Sequence, residues 1–192
     1  MRSIAFAALL VATAATPALA QDGPNPFTGA RVEGQIGWDR IQADGGHKDG
    51  VDYGVAAGYD FAAGRNMIVG GEVELSDSST KQCYGSATAL DPRDCLRTGR
   101  DIYVGARVGT LVTPRTLLYA KAGYTNARAK FTEDDGSDRY TLARRDLDGV
   151  RVGIGTEYAV GPNSYVKAEY RYSNYESGVS RNQVVGGFGF RF

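Results

Sequence analysis

Charged residues recur in this chain at alternate positions of otherwise apolar or small-residue stretches. Glu72 and Glu74 lie in Met67-Ile68-Val69-Gly70-Gly71-Glu72-Val73-Glu74-Leu75, and Arg107, Lys121, Arg151, Glu157, Lys167, Glu169 and Arg171 sit in comparable settings. Arg31, Glu33, Asp52, Asp101 and Arg191 share the pattern. Carboxylates and cations gathered into one enclosed space can do one of two things: line a path or gate for ions, or neutralise one another. A buried charge costs several kcal/mol unless paired, and the near-balance of signs favours mutual pairing. If the turn of the 149–173 stretch centres near Pro162, Glu157 faces Lys167, and Glu72, Arg107 and Lys121 fall at similar depth on adjacent strands.

Other residue types offer less. His47 is the only histidine, and with Asp77-Ser78 it imitates the histidine, serine and carboxylate of an acyl-transfer site. Such a site on a lipid substrate also needs an apolar cavity, which a charged interior does not supply. No enzyme activity and no cofactor are therefore expected. Glu133-Asp134-Asp135-Gly136-Ser137-Asp138 does not match the calcium-loop spacing and reads as a solvated acidic loop. Arg144-Arg145 is a weak candidate for lipid phosphates. Cys83 and Cys95 follow an export signal (below), so a disulfide tying a surface loop is the default; two thiols without a nearby histidine are a poor zinc site.

These positions are set by strands. In 149–173, Val150, Val152, Ile154, Thr156 and Tyr158 share one face, and Val166, Ala168, Tyr170 and Tyr172 repeat the scheme after Gly161-Pro162-Asn163. A period of two marks a strand, and the Gly-Pro-Asn chemistry between the runs marks an antiparallel hairpin. The same alternation runs through 30–41, 51–61, 67–76, 100–111, 116–130 and 181–192. Eight strands result, joined alternately by short turns and by longer loops at 43–50, 77–99, 132–148 and 175–180. Each strand is long enough to cross a bilayer obliquely, which takes roughly 9–11 residues. A soluble lipocalin-like barrel would bury the apolar face instead. Against that stand apolar faces free of charge and two sets of outward aromatics. Tyr59, Phe61, Tyr158, Phe190 and Phe192 lie near short turns or the C-terminus; Trp38, Tyr53, Tyr124, Tyr170 and Tyr172 lie toward the long loops.

Met1-Arg2-Ser3, an apolar run through Ala15 and Pro17-Ala18-Leu19-Ala20 read as a secretory signal peptide, 1–20, leaving 21–192 as one barrel domain. The run is too short to span a membrane as a helix. Lys plus Arg and Asp plus Glu both number 22, so no basic excess points to nucleic acid. The fold expected is all-β: an eight-stranded antiparallel up-and-down transmembrane β-barrel.

Gly153-Ile154-Gly155-Thr156-Glu157-Tyr158, Val166-Lys167-Ala168-Glu169-Tyr170-Arg171-Tyr172, Leu118-Tyr119-Ala120-Lys121-Ala122-Gly123-Tyr124 and the terminal Gly187-Phe188-Gly189-Phe190-Arg191-Phe192 resemble the small outer-membrane β-barrels of Gram-negative bacteria. Within these, the likeness is to the OmpA transmembrane domain and its opacity-type, porin-like relatives. The resemblance covers essentially all of 21–192 and implies location in the cell outer membrane. It also implies that the alternating last strand, with Phe188, Phe190 and Phe192, carries the signal read by the barrel-assembly machinery. Outer-membrane lipids and lipopolysaccharide are the expected surroundings, and a monomer the expected state. The family specifies fold better than role. A structural or surface-interaction role is expected, with a small porin-like channel for ions or solutes as the alternative and a lipid A-modifying enzyme as a remote one.

Overall fold

The computed structural model describes the backbone of residues 26–43, 46–79, 81–84, 93–134 and 139–192, and within these the side chains outside 43, 46, 81–84, 93–98, 129–134, 139–145 and 177. Its strands are β1 (Gly29–Ala43), β2 (Gly46–Ala62), β3 (Met67–Ser78), β4 (Lys81–Tyr84), β5 (Arg93–Thr113), β6 (Thr116–Asp134), β7 (Arg139–Ala159), β8 (Ser164–Tyr175) and β9 (Ser180–Arg191). Neighbours along the chain pair antiparallel except β3 and β4, which both pair with β5, and β1 also pairs with β9, which closes the sheet. The short β4 continues the line of β3 along β5, so the wall is eight strands round. The signal peptide read at 1–20 lies outside the described residues.

The hydrogen-bond register fixes the barrel's width. Stepping through paired residues from Arg31 leads to Gly58, Glu72, Gly105, Gly123, Arg151, Ser173, Arg181 and back to β1 at Ile41, a displacement of 41 − 31 = 10 residues. Eight strands with that stagger tilt by about 40° and enclose a backbone cylinder of roughly 8 Å radius. Side chains fill such a bore.

Alternation then sorts the residues. Ile36, Val55, Leu75, Val104, Val152, Ile154 and Val184 are exposed on the outer wall, whereas Arg31, Glu33, Glu74, Arg107, Arg151, Glu157 and Arg171 are buried inside. Both sets of aromatics named above face outward, Phe192 the most fully. Three tight connections, 63–66, 114–115 and 160–163, lie at the end that also carries the N-terminal side of β1 and the C-terminal side of β9. In an outer-membrane barrel, short turns mark the periplasmic side.

The loops are shorter than the sequence suggests. Stretches within 43–50, 77–99 and 132–148 continue as paired strand, with Ala43 opposite Gly46 and Asp134 opposite Arg139. Beyond the lipid a hairpin needs only its backbone ladder, so no apolar face is required and the period-two signal disappears. Residues 176–178 of the last expected loop form a 3₁₀ turn.

Candidate functional site, a charge-packed lumen

The inward side chains of the eight strands form a chemically distinctive interior. Buried among the described residues are eight cations (Arg31, Arg107, Lys121, Arg151, Lys167, Arg171, Arg181 and Arg191) and nine carboxylates (Glu33, Asp39, Asp52, Asp60, Glu72, Glu74, Asp101, Glu157 and Glu169). They are wired in three tiers stacked along the barrel axis.

At the end of the short turns Asp60 is the hub. Arg107 donates to both of its oxygens, from Nε at 2.8 Å and Nη2 at 2.6 Å, and Arg191 Nη1 donates at 2.6 Å. Arg31 Nε lies 3.2 Å away. Glu157 accepts from Arg107 at 2.5 Å and from Arg191. In the middle tier Lys121 Nζ lies 2.9 Å from Glu72, 2.6 Å from Glu74 and 2.8 Å from Glu169. Arg171 bonds Glu169 and, at 3.0 Å, Glu74, while Lys167 bonds Glu33. Toward the end of the long hairpins Arg181 is shared by Asp39 (2.6 Å), Asp52 (2.9 Å) and Asp101 (2.8 Å). Arg31, paired with Glu72, joins the first two tiers; Arg151, paired with Asp101 and 3.4 Å from Glu74, joins the upper two.

Neutral groups complete the packing. The hydroxyls of Tyr119 and Tyr165 donate to Glu169 (2.5 Å) and Glu33 (2.7 Å), and those of Thr125 and Tyr175 to Asp101. Guanidiniums of Arg107 and Arg191 stack on Tyr119 and Tyr165, each within 5 Å of the ring centroid. Inward glycines make room for these rings. A Cβ on Gly189 would lie 2.4 Å from the Tyr165 ring, and one on Gly155 would lie 2.6 Å from that of Tyr119.

The expected neighbours are rearranged. Glu157 does stand opposite Lys167 in the ladder, but their side chains diverge: Glu157 reaches Arg107 and Arg191 while Lys167 reaches Glu33. Glu72 is held by Arg31 and Lys121, and Arg107 turns to Asp60 and Glu157 instead. The steep tilt is the reason. A long side chain crossing the bore meets strands that are not its ladder neighbours. Asp39 and Asp60 follow the inward parity of Gln35 and Asp52 that the alternation gives them, though neither stands out as a lumen charge in the sequence; Arg181, which shares parity with Gln183, was missed.

The remaining candidates do not converge. His47 is exposed on the outer face of β2, whereas Ser78 is buried and donates to Asp39 at 3.0 Å. Cys83 and Cys95 stand directly opposite in the β4–β5 ladder; their side chains lie outside the described residues, as do those of Glu133, Asp134, Arg144 and Arg145 and all of 135–138. Two apolar depressions lie on the outward wall, one lined by Val32, Gly34, Val55, Val73, Leu75 and Phe188. Phe188, Phe190 and Phe192 face outward on and just after β9, and the Phe188 and Phe190 rings meet edge-on at 5.1 Å.

Residues 5–192 match the family described as outer membrane protein beta-barrel domain. The chain belongs to that family. This outer-membrane barrel is 30% identical over 125 residues to the 31 kDa outer-membrane immunogenic protein of Brucella melitensis. The alignment covers 63% of this chain and 52% of the relative, so the chain spans about half the length of the curated relatives it matches. Two crystal structures share its fold. Ail, the attachment invasion locus protein of Yersinia pestis, superposes with a TM-score of 0.58 at 20% identity, covering 85% of this barrel and 99% of that chain. Neisserial surface protein A gives 0.60 at 19% identity, covering 86% and 98%. The barrel resides in the outer membrane.

Proposed function

We propose that this barrel is a non-conducting element of the outer membrane with a structural and surface-interaction role. One observation carries the reading: the bore is occupied, tier upon tier, by ion pairs whose side chains are 5% exposed or less. A conducting path needs mobile water beside its charges, and a bore of this radius packed with interlocked pairs leaves little. The paired lumen then acts as a rigid strut.

What remains to interact with the outside is the projecting wall. Strands β3, β8 and β9 have 12 residues each, enough for the membrane's apolar band, whereas β5, β6 and β7 have 21, 19 and 21. The surplus lifts the outer ends of β5, β6 and β7 about 20 Å beyond those of β8 and β9. The Brucella relative's description as immunogenic fits surface exposure of such hairpins. In this reading the barrel is a monomer, surrounded by lipid and lipopolysaccharide and inserted by the barrel-assembly machinery.

The test is electrical. Protein refolded into planar bilayers is expected to show no steady conductance, and vesicles containing it no swelling in small sugars. Large, stable channels would replace this reading with that of a porin-like channel.

A further inference from the structure

The periplasmic end of the lumen is closed differently from the rest. Phe27, just ahead of β1, is fully buried. Its ring packs with Ile68 of β3, Leu117 and Tyr119 of β6 and Ala159 of β7, with Leu111 of β5 against the same cluster. This apolar floor lies directly beneath the Asp60 tier. The last strand holds the segment in place: Arg191 Nη1 donates to the Phe27 carbonyl at 2.8 Å, and its guanidinium lies 5.6 Å from the ring centroid.

A backbone device steers the chain there. Gly29 has φ of +105°, a conformation that side-chain-bearing residues rarely adopt. A Cβ at this position would lie 2.3 Å from the Phe192 carbonyl oxygen, while the Phe192 N–H donates to the Ala30 carbonyl at 2.9 Å. The sharp bend lets the chain leave the wall and turn under it. An exposed N-terminal leader has no need of a buried aromatic, a positive-φ glycine or a hydrogen bond from the last strand.

We infer that residues 26–28, just ahead of β1, form a stopper, with Phe27 as the side chain that seals the periplasmic mouth and keeps water from the Arg107–Asp60–Arg191 tier. The inference concerns access from one end and is independent of conductance: a barrel blocked by its upper tiers stays silent whether or not this floor is sealed. Failure of one reading therefore leaves the other standing.

Thiol accessibility tests it. In a Cys83→Ser, Cys95→Ser background refolded in detergent, Leu117→Cys reports on the floor and Ser173→Cys on the upper lumen. With Phe27 present, both are expected to react slowly with a small maleimide. Phe27→Gly is expected to speed labelling at 117 by at least tenfold while leaving 173 unchanged, and Phe27→Leu to restore protection. Equal rates at 117 for Phe27 and Phe27→Gly would overturn the inference. Acceleration at both positions would also overturn it, since that reports a loosened wall. If Phe27→Gly does not refold, Phe27→Ala takes its place under the same criteria. Rapid labelling of Leu117→Cys with Phe27 intact refutes the stopper without either variant.

Discussion

Asp60 is the position at which the paired-lumen argument is most exposed to refutation. Its carboxylate receives two hydrogen bonds from Arg107 and one from Arg191, and Arg31 approaches within 3.2 Å. Asp60→Asn keeps the volume, removes the charge and turns an N–H₂ group toward guanidinium donors. Among the described residues, Glu157 then remains as the only carboxylate bonded to Arg107 and Arg191. Removing one partner of a buried ion pair costs roughly 3–5 kcal/mol. At about 1.4 kcal/mol per decade, that is a hundredfold to several-thousandfold loss in the folding equilibrium. The comparison is Asp49→Asn, which breaks the Arg40–Asp49 pair on the outside of the barrel, where both side chains are 40% exposed. Urea unfolding from detergent, followed by the fluorescence of the lone tryptophan, Trp38, reads both variants. Asp60→Asn is expected to unfold at much lower urea, and Asp49→Asn to match the parent. Gly70→Ala adds a geometric check, because its Cβ would lie 2.1 Å from Asp60 Oδ1 and displace the carboxylate without deleting it. Coincident midpoints for Asp60→Asn and Asp49→Asn would show that the buried pairs do not hold the barrel together.

Three further outcomes are expected. Val152→Arg, mid-strand on the lipid face, is expected to cost roughly 2–4 kcal/mol in urea titrations, which no substitution at exposed Arg115 should match. Gly189→Ala drives a methyl into Tyr165 and is expected to cost about 1–3 kcal/mol, yet to be nearly neutral on a Tyr165→Ala background, so a double-mutant cycle measures the ring-over-glycine contact. Cys83 and Cys95, opposite in the ladder, are proposed to form a disulfide; both are expected to resist alkylation in native envelopes until reductant is added, and prompt labelling beforehand would remove the bond.

The wall was legible in the sequence because burial by lipid imposes a strict alternation: Val150, Val152 and Ile154 cannot exchange faces with Arg151 and Gly153 without placing a guanidinium in hydrocarbon. The interior partnerships were not legible. Ladder neighbours follow from turn positions, and the Glu157–Lys167 register was readable from Pro162. A side chain of arginine length chooses its partner across a tilted bore, however, and that choice depends on the ten-residue stagger, which no single hairpin reveals. Phe27 left no signal either, since one aromatic before the first strand has no period to belong to. The strand extensions beyond the membrane escaped because the charged residues of 93–98 and 128–134 fall at both odd and even positions, so no period of two stands out in the sequence.

The wiring of the lumen also bears on how the chain is made. Asp39 waits for Arg181, 142 residues later, and Asp60 for Arg191, 131 residues later. Contacts this distant in sequence put the fold at the slow end of the range, where closure of long loops precedes any reward. A nascent chain halted before β9 would hold Asp39 and Asp52 without Arg181, and Asp60 and Glu157 without Arg191, and would leave the second edge of β1 unpaired. Charge pairing inside the wall thus waits on the last strand: only a chain that includes β9 can complete the tiers and shut the barrel.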